Sequence, residues 1–550
     1  MILNMLQDNS ATLCSRFIIV FSVTVFSLCF PPSSGYAKVL TDDSPDLIVG
    51  IVVENMRYDY LSRMWDQFGD DGFRKLVSEG SSFANARYDY IVNQSSAGYA
   101  TIFTGANPSA HGIIADSWYD RLKEEIQTGV FDDNVFAVGG SFANGMRSPE
   151  RMLTGTFGDE LRMASDFRSR VYSVSLNDAA AVLSGGFSAN AAWWFDDITG
   201  MWMTSSFYID SLPLWVREFN SGKLPDIYLD RIWEPELPFS SYFGIGKNDT
   251  PGTFRYDLRR MWRRHGDYGI IRSVPQGNTF TKDFALNLIV NEQLGKNGNT
   301  DLIIIGFSAT SEIGRHYGNF SAELQDAYLK LDGDIAHLLE FLDDHSGRSN
   351  VLVFMTSDKA SAYPPSYNRS ARLPGGTFSP GMAVSLLRSY MDINYGQADW
   401  VSFYNAGMIY LNHKLIEDNK ISLDDIQNRA SRFLNQFSGV AGTVTEDVLR
   451  RNYFSGGMTA RIQSGFHSGR SGDIMIYLRQ GWHERSLSGD QLSLISYDQH
   501  VPLVFYGWNI ESNNFKREVG VTDIAPTISL LLNIPIPPFA TGKPVKELVH

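Results

Sequence analysis

The chain has 550 residues, of which 43% are hydrophobic and 20% are charged, and its formal net charge is −14 at pH 7. This composition is typical of a packed globular protein, and the length allows two average domains or one large α/β domain with insertions. The negative charge and the lack of a long basic run exclude nucleic acid as the main partner, because nucleic-acid binding needs a basic surface.

The N-terminal segment predicts export. An apolar run from Phe17 to Phe30 has the length of a signal-peptide core and is short for a membrane span. The sequence PPSSGYA follows it, so cleavage is predicted after Ala37. We therefore expect residues 1–37 to be a signal peptide, the mature chain to have no transmembrane span, and the protein to reach the periplasm, the cell envelope or the medium. An uncleaved anchor is the alternative.

Both cysteines, Cys14 and Cys29, lie in this leader. The mature chain is therefore predicted to contain no disulfide, no cysteine nucleophile and no thiolate metal site. Lipidation at Cys29 is an alternative, but the preceding Phe-Ser-Leu lacks the small residue that usually stands next to a lipidated cysteine.

After the leader, short apolar runs alternate with amphipathic segments, which predicts an α/β fold built on a layered sheet. The clearest predicted strands are Asp46–Val53, Val171–Leu176, Asp301–Phe307, Val351–Thr356 and Val501–Tyr506. Their nearly continuous apolar character is typical of parallel strands buried on both faces. The residues just after such strands lie at the carboxyl edge of the sheet, where open α/β sheets bind ligands.

Two stretches of the predicted domain, which runs from 38 to 550, depart from this alternation. Residues 191–279 are rich in aromatic residues, proline and aspartate, and we interpret them as a cap or insertion beside the sheet. Residues 368–484 are a mixed α/β stretch, which predicts a second lobe. The cap tryptophans are expected in the core; a cover over the pocket mouth is the alternative. They are Trp193, Trp194, Trp202 and Trp215.

Several motifs together resemble the alkaline phosphatase superfamily, in its type I phosphodiesterase/nucleotide pyrophosphatase branch. They are most similar to the monomeric periplasmic alkaline phosphatases of bacteria, and they occur in the family's order from about residue 45 to 545. The main ones are IVGIVVENMRYDYL, NQSSAGYATIFTGANPSAHGIIADSWYD, DLIIIGFSATSEIGRHYG, VLVFMTSDKA, GFHSGRSGDIMIYL and YDQHVPLVFYG. The resemblance implies a three-layer α/β sandwich with a mostly parallel central sheet and a cap.

The resemblance also implies a catalytic site with two zinc ions, aspartate and histidine ligands at strand ends, and a serine or threonine nucleophile. In this chain the nucleophile position falls on Ser95, which is chemically competent. Three metal positions carry residues that can still ligate. They are Glu54, which replaces an aspartate, and Asp358 and His500, which are retained.

The other three metal positions are replaced by Ser311, Arg315 and Lys359. Arginine cannot bind zinc, because its guanidinium has no lone pair to offer. A one-residue shift to His316, or a shifted carboxylate from Glu312, is the alternative. The first zinc site would keep only His500, and the second would keep Glu54, Asp358 and the Ser95 hydroxyl. Three oxygens without a histidine make a poor zinc site, although they could hold magnesium or calcium weakly.

The positions that contact phosphate in the family are altered as well. Asp116 replaces the asparagine that the family has at this position, and its negative charge would repel a phosphate. Asn177 and Ala179 stand where the family has a lysine and an arginine, so both cations that would hold the phosphate are missing.

Two cations thus stand where two metal ions are expected. Carboxylates that are buried close together repel one another unless a positive charge compensates them. We therefore hypothesise that Arg315 and Lys359 pair with Glu54, Asp358 and Asp116 and keep a metal-free pocket folded. A variant of the hypothesis is that the two cations attract a small anion, which is bound without turnover.

The sequence therefore favours a catalytically degenerate family member, a pseudo-phosphatase with a binding or scaffold role in the cell envelope. It is expected to hold no metal or a weakly bound divalent ion, and its partner would be an envelope protein or a small anionic ligand. The alternative is an active phosphomonoesterase or phosphodiesterase that uses Ser95, two zinc ions and a phosphate ester substrate. A sulfatase-like enzyme would need a Ser-x-Pro-x-Arg motif, and residues 95–99 read SSAGY.

Overall fold

The computed structural model describes residues 44–92, 94–243, 253–485, 491–492 and 499–549. The predicted leader, residues 1–37, lies outside the described residues. By its contacts, Val39–His550 forms one compact unit. None of the helices in the described part of the chain combines the length and the apolar character that crossing a bilayer requires.

The described strands are, in chain order, β1 (Leu47–Val53), β2 (Ser81–Arg87), β3 (Ser117–Asp120), β4 (Glu125–Thr128), β5 (Ala137–Val138), β6 (Val171–Ser175), β7 (Ala191–Asp196), β8 (Met201–Ser205), β9 (Ile232–Trp233), β10 (Tyr256–Asp257), β11 (Asp301–Phe307), β12 (Val351–Thr356), β13 (Gly376–Phe378), β14 (Val401–Asn405), β15 (Met408–Leu411), β16 (Val440–Thr445), β17 (Ile474–Leu478), β18 (Trp482–Arg485), β19 (Gln491–Leu492), β20 (His500–Val501), β21 (Val504–Gly507) and β22 (Asn513–Gly520).

The described α-helices are α1 (Tyr58–Arg63), α2 (Phe73–Glu79), α3 (Ser95–Thr104), α4 (Pro108–His111), α5 (Phe142–Gly145), α6 (Phe157–Ala164), α7 (Asp178–Gly185), α8 (Leu214–Ser221), α9 (Leu224–Leu229), α10 (Leu258–His265), α11 (Gln276–Asn291), α12 (Ala309–Tyr317), α13 (Ala322–Ser346), α14 (Pro365–Ser370), α15 (Pro380–Tyr395), α16 (His413–Asp418), α17 (Leu423–Leu434), α18 (Glu446–Arg451), α19 (Gly457–Ser464) and α20 (Ile524–Leu531).

A large, mostly parallel sheet forms the centre of the molecule. Its order is β20-β2-β21-β12-β1-β11-β6-β7-β8-β5, with β22 beside β2. Strands β12, β1, β11, β6 and β7 are parallel neighbours, and Leu47 of β1 lies opposite both Asp301 and Val351. Every residue of β1, β11 and β12 is buried, which explains their continuous apolar character.

Helices cover both faces of this sheet. Residues Ile48 and Val52 of β1 pack into one core together with α3, α7 and α20. The alternate residues Val49 and Ile51 pack into a second core with α11 and α13. Because successive strand side chains point to opposite faces, one strand contributes to both cores. The predicted three-layer α/β sandwich is confirmed.

The last predicted strand, Val501–Tyr506, differs from the prediction. It is divided into β20 and β21, and β21 runs antiparallel to β12. Pro502 lies in the break, where it cannot donate to a ladder, and its carbonyl accepts a hydrogen bond from the Thr356 hydroxyl (2.9 Å).

The region predicted as a cap contains part of the sheet. Strands β7 and β8 belong to the central sheet, so the part of the predicted insertion that lies outside this sheet follows Ser205. Trp193, Trp194 and Trp202 are at most 1% exposed, as expected of core residues. Fully buried Asp326 on α13 holds the insertion by accepting hydrogen bonds from three donors. They are the Trp233 indole (2.7 Å), the Tyr242 hydroxyl (2.7 Å) and the Glu236 main-chain N–H (2.8 Å).

The mixed stretch from 368 to 484 has its own sheet and core. Its four strands lie in the order β14-β15-β17-β16, with antiparallel neighbours. A third hydrophobic core joins this sheet to α15, α16 and α17. Strands β13, β18 and β19 form a smaller sheet. Below we call residues 376–485 the second lobe.

Candidate active site

The candidate site lies where the parallel strands end. Glu54 follows β1, Asn177 follows β6 by two residues, and Lys359 follows β12 by three. Because the carboxyl ends of parallel strands meet at one edge, these residues come together around a cavity of about 570 Å³. Most residues predicted from the sequence line this cavity: Glu54, Ser95, Asp116, Asn177, Ala179, Ser311, Arg315 and Lys359.

Ser95 is the first residue of α3, a helix that is buried along its whole length. Close packing brings the start of this helix against the end of β12. A Cβ at Gly98 would lie 1.9 Å from the carbonyl oxygen of Asp358, so only glycine fits there. The approach places the Ser95 hydroxyl beside Lys359.

Lys359 makes the contacts at the centre of the site. Its ammonium donates a hydrogen bond to the Ser95 hydroxyl and lies 3.1 Å from Oδ2 of Asp358. Burial alone would lower the pKa of Lys359, but the carboxylates of Asp358, Glu54 and Asp116 outweigh it and raise the pKa. The side chain is therefore a fixed cation. The predicted pairing of Lys359 with Asp358 is observed.

The Asp358 carboxylate is almost completely buried, with 1% of the residue exposed. Its Oδ1 accepts a hydrogen bond from the main-chain N–H of Asn55 (2.8 Å), which ties the end of β1 to the end of β12. The carboxylate is thus held between one main-chain donor and one ammonium, which together satisfy its charge.

Glu54 is 2% exposed and has a strongly altered acidity. Burial raises the pKa of its carboxyl to about 8, with further increases from Asp358 and Asp116 and a partial offset by Lys359. At neutral pH this carboxyl is therefore mostly protonated. The Tyr99 hydroxyl is a hydrogen-bond partner of this carboxyl, and the Asn177 amide nitrogen lies 3.5 Å from its Oε1.

The phosphate-contact positions have structural roles. Asp116 is exposed on the cavity side and accepts a hydrogen bond from the Ser96 main-chain N–H (2.9 Å). Its carboxylate thus caps the start of α3, where an anionic ligand would otherwise bind. Asn177 caps α7, because its Oδ1 accepts from the N–H groups of Ala179 (3.0 Å) and Ala180 (3.4 Å).

The helix that follows β11 departs from the prediction. Ser311 and Arg315 line the cavity from α12, but the carboxylate that Arg315 pairs with is Glu312, one turn away on the same helix. His316 donates from Nδ1 to the Glu312 carbonyl (3.1 Å) and does not line the cavity. The alternative in which His316 replaces the lost ligand therefore gains no support from the geometry.

His500 does not join the other predicted residues. Its Nε2 donates to the Ala84 carbonyl (2.9 Å), and its ring stacks on Tyr58 with 4.6 Å between centroids. Burial lowers its pKa, which keeps the imidazole neutral. The side chain is fixed by the pairing of β20 with β2 and is not among the residues lining the cavity.

These residues do not fit the two-zinc site that the resemblance implied. Zinc needs lone pairs from imidazole nitrogens and carboxylate oxygens that converge on one point. Among the described residues that line the cavity there is no histidine, and the Lys359 ammonium lies against the Asp358 carboxylate.

The sequence did not identify Arg147, whose guanidinium lies 2.5 Å from the Asp178 carboxylate at the cavity wall. No local pattern connects residues 31 positions apart. With this pair included, each described cation of the lining has a carboxylate partner: Arg147 with Asp178, Arg315 with Glu312, and Lys359 with Asp358.

A second group of potential metal ligands lies outside this cavity. In the second lobe, His413, Glu446 and Asp473 offer ligand atoms that all lie within 4.8 Å of one another. Nothing in their spacing along the chain indicated this group, because the three residues come from three different loops.

A sequence model of the type I phosphodiesterase/nucleotide pyrophosphatase family matches residues 48–500. The chain belongs to this family. Full-length relatives place it, as the resemblance implied, in the alkaline phosphatase superfamily. Alkaline phosphatase PhoV of Synechococcus elongatus is 33% identical over 515 residues, which cover 92% of this chain and 93% of the relative. Alkaline phosphatase PafA of Elizabethkingia meningoseptica is 33% identical over 530 residues, covering 94% and 96%.

Two further comparisons agree with these. A Myroides odoratus protein named calcium-transporting ATPase is 35% identical over 524 residues, covering 92% of this chain and 95% of its own length. The crystal structure of wild-type PafA superposes with a TM-score of 0.87 at 32% identity, covering 92% of this chain and 99% of PafA. The family and the fold are thus shown over nearly the whole described chain.

Proposed function

We propose that this chain is an exported family member that does not hydrolyse phosphate esters and binds a ligand or partner in the cell envelope. The observation that carries the proposal is the position of the Lys359 ammonium, hydrogen-bonded to the Ser95 hydroxyl and paired with Asp358. Export is supported by the apolar segment 17–30.

Lys359 opposes nucleophilic chemistry at Ser95. A serine nucleophile needs a neighbouring base or a metal ion to take its proton. Lys359 has a raised pKa and donates to Ser95, so it cannot act as that base. Glu54, with a pKa of about 8, holds its own proton at neutral pH.

The charges of the cavity also disfavour a phosphate ester. The Asp116 carboxylate caps the start of α3, and the lining cations are already paired with carboxylates. A bound anion would have to break one of these ion pairs and approach Asp116. The small anion that the sequence suggested as one ligand is therefore less favoured than a neutral or cationic polar molecule.

The test measures hydrolysis and metal content together. The purified chain is assayed with p-nitrophenyl phosphate and bis(p-nitrophenyl) phosphate, with and without added zinc, beside Ser95→Ala and the neighbouring control Ser96→Ala. We expect the native chain to hydrolyse neither substrate faster than Ser95→Ala does. We also expect the bound metal per chain to be the same in the native protein and in the Glu54→Gln and Asp358→Asn variants. Two zinc ions lost on those substitutions, together with turnover that Ser95→Ala abolishes and Ser96→Ala retains, would refute the proposal.

A metal-dependent phosphomonoesterase or phosphodiesterase is the second candidate. It is favoured by the Ser95 hydroxyl, which lines the cavity from the start of a buried helix, and by the names of the relatives PhoV and PafA. Its substrate would be a phosphate ester, and the same assay distinguishes it from the first proposal.

A further inference from the structure

Three loops of the second lobe converge on one point. His413 opens α16 after β15, Glu446 opens α18 after β16, and Asp473 immediately precedes β17. Since β15 and β16 both pair with β17, these positions meet at the same edge of the lobe sheet. The main-chain N–H of Glu446 donates to the carbonyl of Asp473 (2.9 Å), and the three side chains offer ligand atoms within 4.8 Å of one another.

The Asp473 carboxylate is fully buried and held in a defined orientation. Its Oδ2 accepts from the Leu411 N–H (2.7 Å) and from the Arg121 guanidinium (3.1 Å). Its Oδ1 faces the other side, where His413 Nε2 lies at 2.5 Å and the Gln427 amide nitrogen at 3.2 Å. One oxygen is thus fixed by outer partners and the other is directed at the imidazole, as in a supported metal ligand.

Gln427 supplies an independent observation. The residue is 1% exposed, its amide is directed at Asp473, and its Oε1 is buried with no hydrogen-bond partner among the described residues. A buried amide oxygen without a partner is unfavourable. A half-turn of the amide, which exchanges its oxygen and nitrogen, would direct this oxygen into the group as a fourth ligand.

Two carboxylates share the group with two arginines at its edge. Arg121 lies 3.1 Å from Asp473 on the side away from His413. Arg450 is 3.5 Å from Glu446, and its side chain is 63% exposed, so its charge is well solvated. A cation in the middle of the group would compensate both carboxylates more directly than either arginine.

We propose that His413, Glu446, Asp473 and Gln427 bind one divalent transition-metal ion. One imidazole nitrogen and three oxygens suit zinc or manganese better than calcium. Ligands about 2.1 Å from a tetrahedral zinc lie about 3.4 Å apart, so side-chain shifts of about 1 Å would close the group. The half-exposed His413 provides the route of entry, since 38% of its side chain is accessible.

The ion would join the second lobe to the wall of the cavity. Arg121, which contacts Asp473, directly follows β3, and β3 pairs with β4. Asp116 and Thr128, which line the cavity, lie at the other end of this hairpin. The site itself shares no residue with the cavity and does not depend on the proposed function.

The experiment titrates zinc or manganese into the metal-stripped full chain and follows calorimetry, metal content and the Tm. We expect one ion per chain, a rise in Tm, and at least a tenfold loss of affinity in His413→Ala with loss of that rise. His265→Ala is the matched control, because His265 also lies beside a carboxylate, 2.9 Å from Asp267, but is not part of such a group.

The proposal fails if no ion binds, if His413→Ala binds as tightly as the native chain, or if His265→Ala loses the same affinity. Because His413 is on the surface, its variant is expected to fold; circular dichroism checks this. If the Glu54→Gln variant loses the bound metal and the His413→Ala variant keeps it, the ion lies in the cavity. That outcome would refute both this inference and the metal-free pocket, whereas loss on His413→Ala alone supports this inference and leaves the pocket proposal standing.

Discussion

Replacing Lys359 by methionine removes the ammonium and keeps most of the apolar stem. Asp358, only 1% exposed, then loses its ion pair at 3.1 Å and keeps the Asn55 N–H at 2.8 Å. Removing one partner of a buried ion pair costs about 3–5 kcal/mol, because the remaining charge is left uncompensated. The Lys359 side chain is 18% exposed, so water can partly reach the site and we expect the lower end, about 3 kcal/mol.

The assay is thermal and urea unfolding at pH 7. A loss of about 3 kcal/mol corresponds to a fall in Tm of about 3–6 °C for a chain of this size. Lys75→Met is the matched control, since Lys75 and Asp343 also lie 3.2 Å apart but Asp343 is 35% exposed. Because water reaches the Asp343 carboxylate, we expect this pair to contribute under about 1 kcal/mol.

The double variant Lys359→Met with Asp358→Asn separates the charge effect from packing. The double variant should regain most of the unfolding free energy that Lys359→Met loses, because the amide at position 358 carries no charge that needs compensation. The reasoning is wrong if Lys359→Met loses no more stability than Lys75→Met. It is also wrong if Asp358→Asn fails to rescue the variant, because the loss would then come from packing.

Three further predictions follow from other contacts. Because the pKa of Glu54 is about 8 in the folded chain against 4.5 when unfolded, stability should fall as pH rises from 4.5 to 8, and Glu54→Gln should flatten that slope in unfolding curves. Gly98→Ala should prevent soluble expression through its clash with Asp358, whereas Gly333→Ala, with no atom within 4 Å, should leave the Tm unchanged or raised. Asp326→Ala should speed proteolysis of residues 230–243, because the donors at Trp233, Glu236 and Tyr242 lose their acceptor; an unchanged digestion rate would contradict this.

The parts of the fold with strong local patterns could be predicted from the sequence. Strands β1, β11 and β12 are continuous apolar runs, so their ends, and with them Glu54 and Lys359, could be assigned to one edge of the sheet. The direction of β21 could not, since an antiparallel strand buried on both faces has the same composition as a parallel one.

The two predicted ion pairs had different outcomes for a physical reason. Lys359 is adjacent to Asp358 at the end of a rigid strand, and close packing of α3 limits where its ammonium can lie. Arg315 lies on a helix, where Glu312 three residues earlier is a neighbour on the same face. The helix already holds Glu312 beside Arg315, so this pair forms at a smaller cost in conformational entropy than a pair with a carboxylate across the cavity. Long-range pairs such as Arg147 with Asp178 have no sequence pattern at all.

We propose that the charges around Lys359 allow this edge of the sheet to stay folded without metal. With the Glu54 proton in place, the innermost groups are one carboxylate, Asp358, and one ammonium, Lys359, which sum to zero. A divalent ion added to that arrangement would meet the ammonium at close range and would first have to displace the Glu54 proton. Changing Lys359 alone to histidine would remove the ammonium without completing a set of metal ligands. Ser311 and Arg315 would still stand at two of the positions where the family has ligands. In this proposal several groups together stabilise a metal-free state, and reversing one of them is expected to weaken the fold before it creates a zinc site.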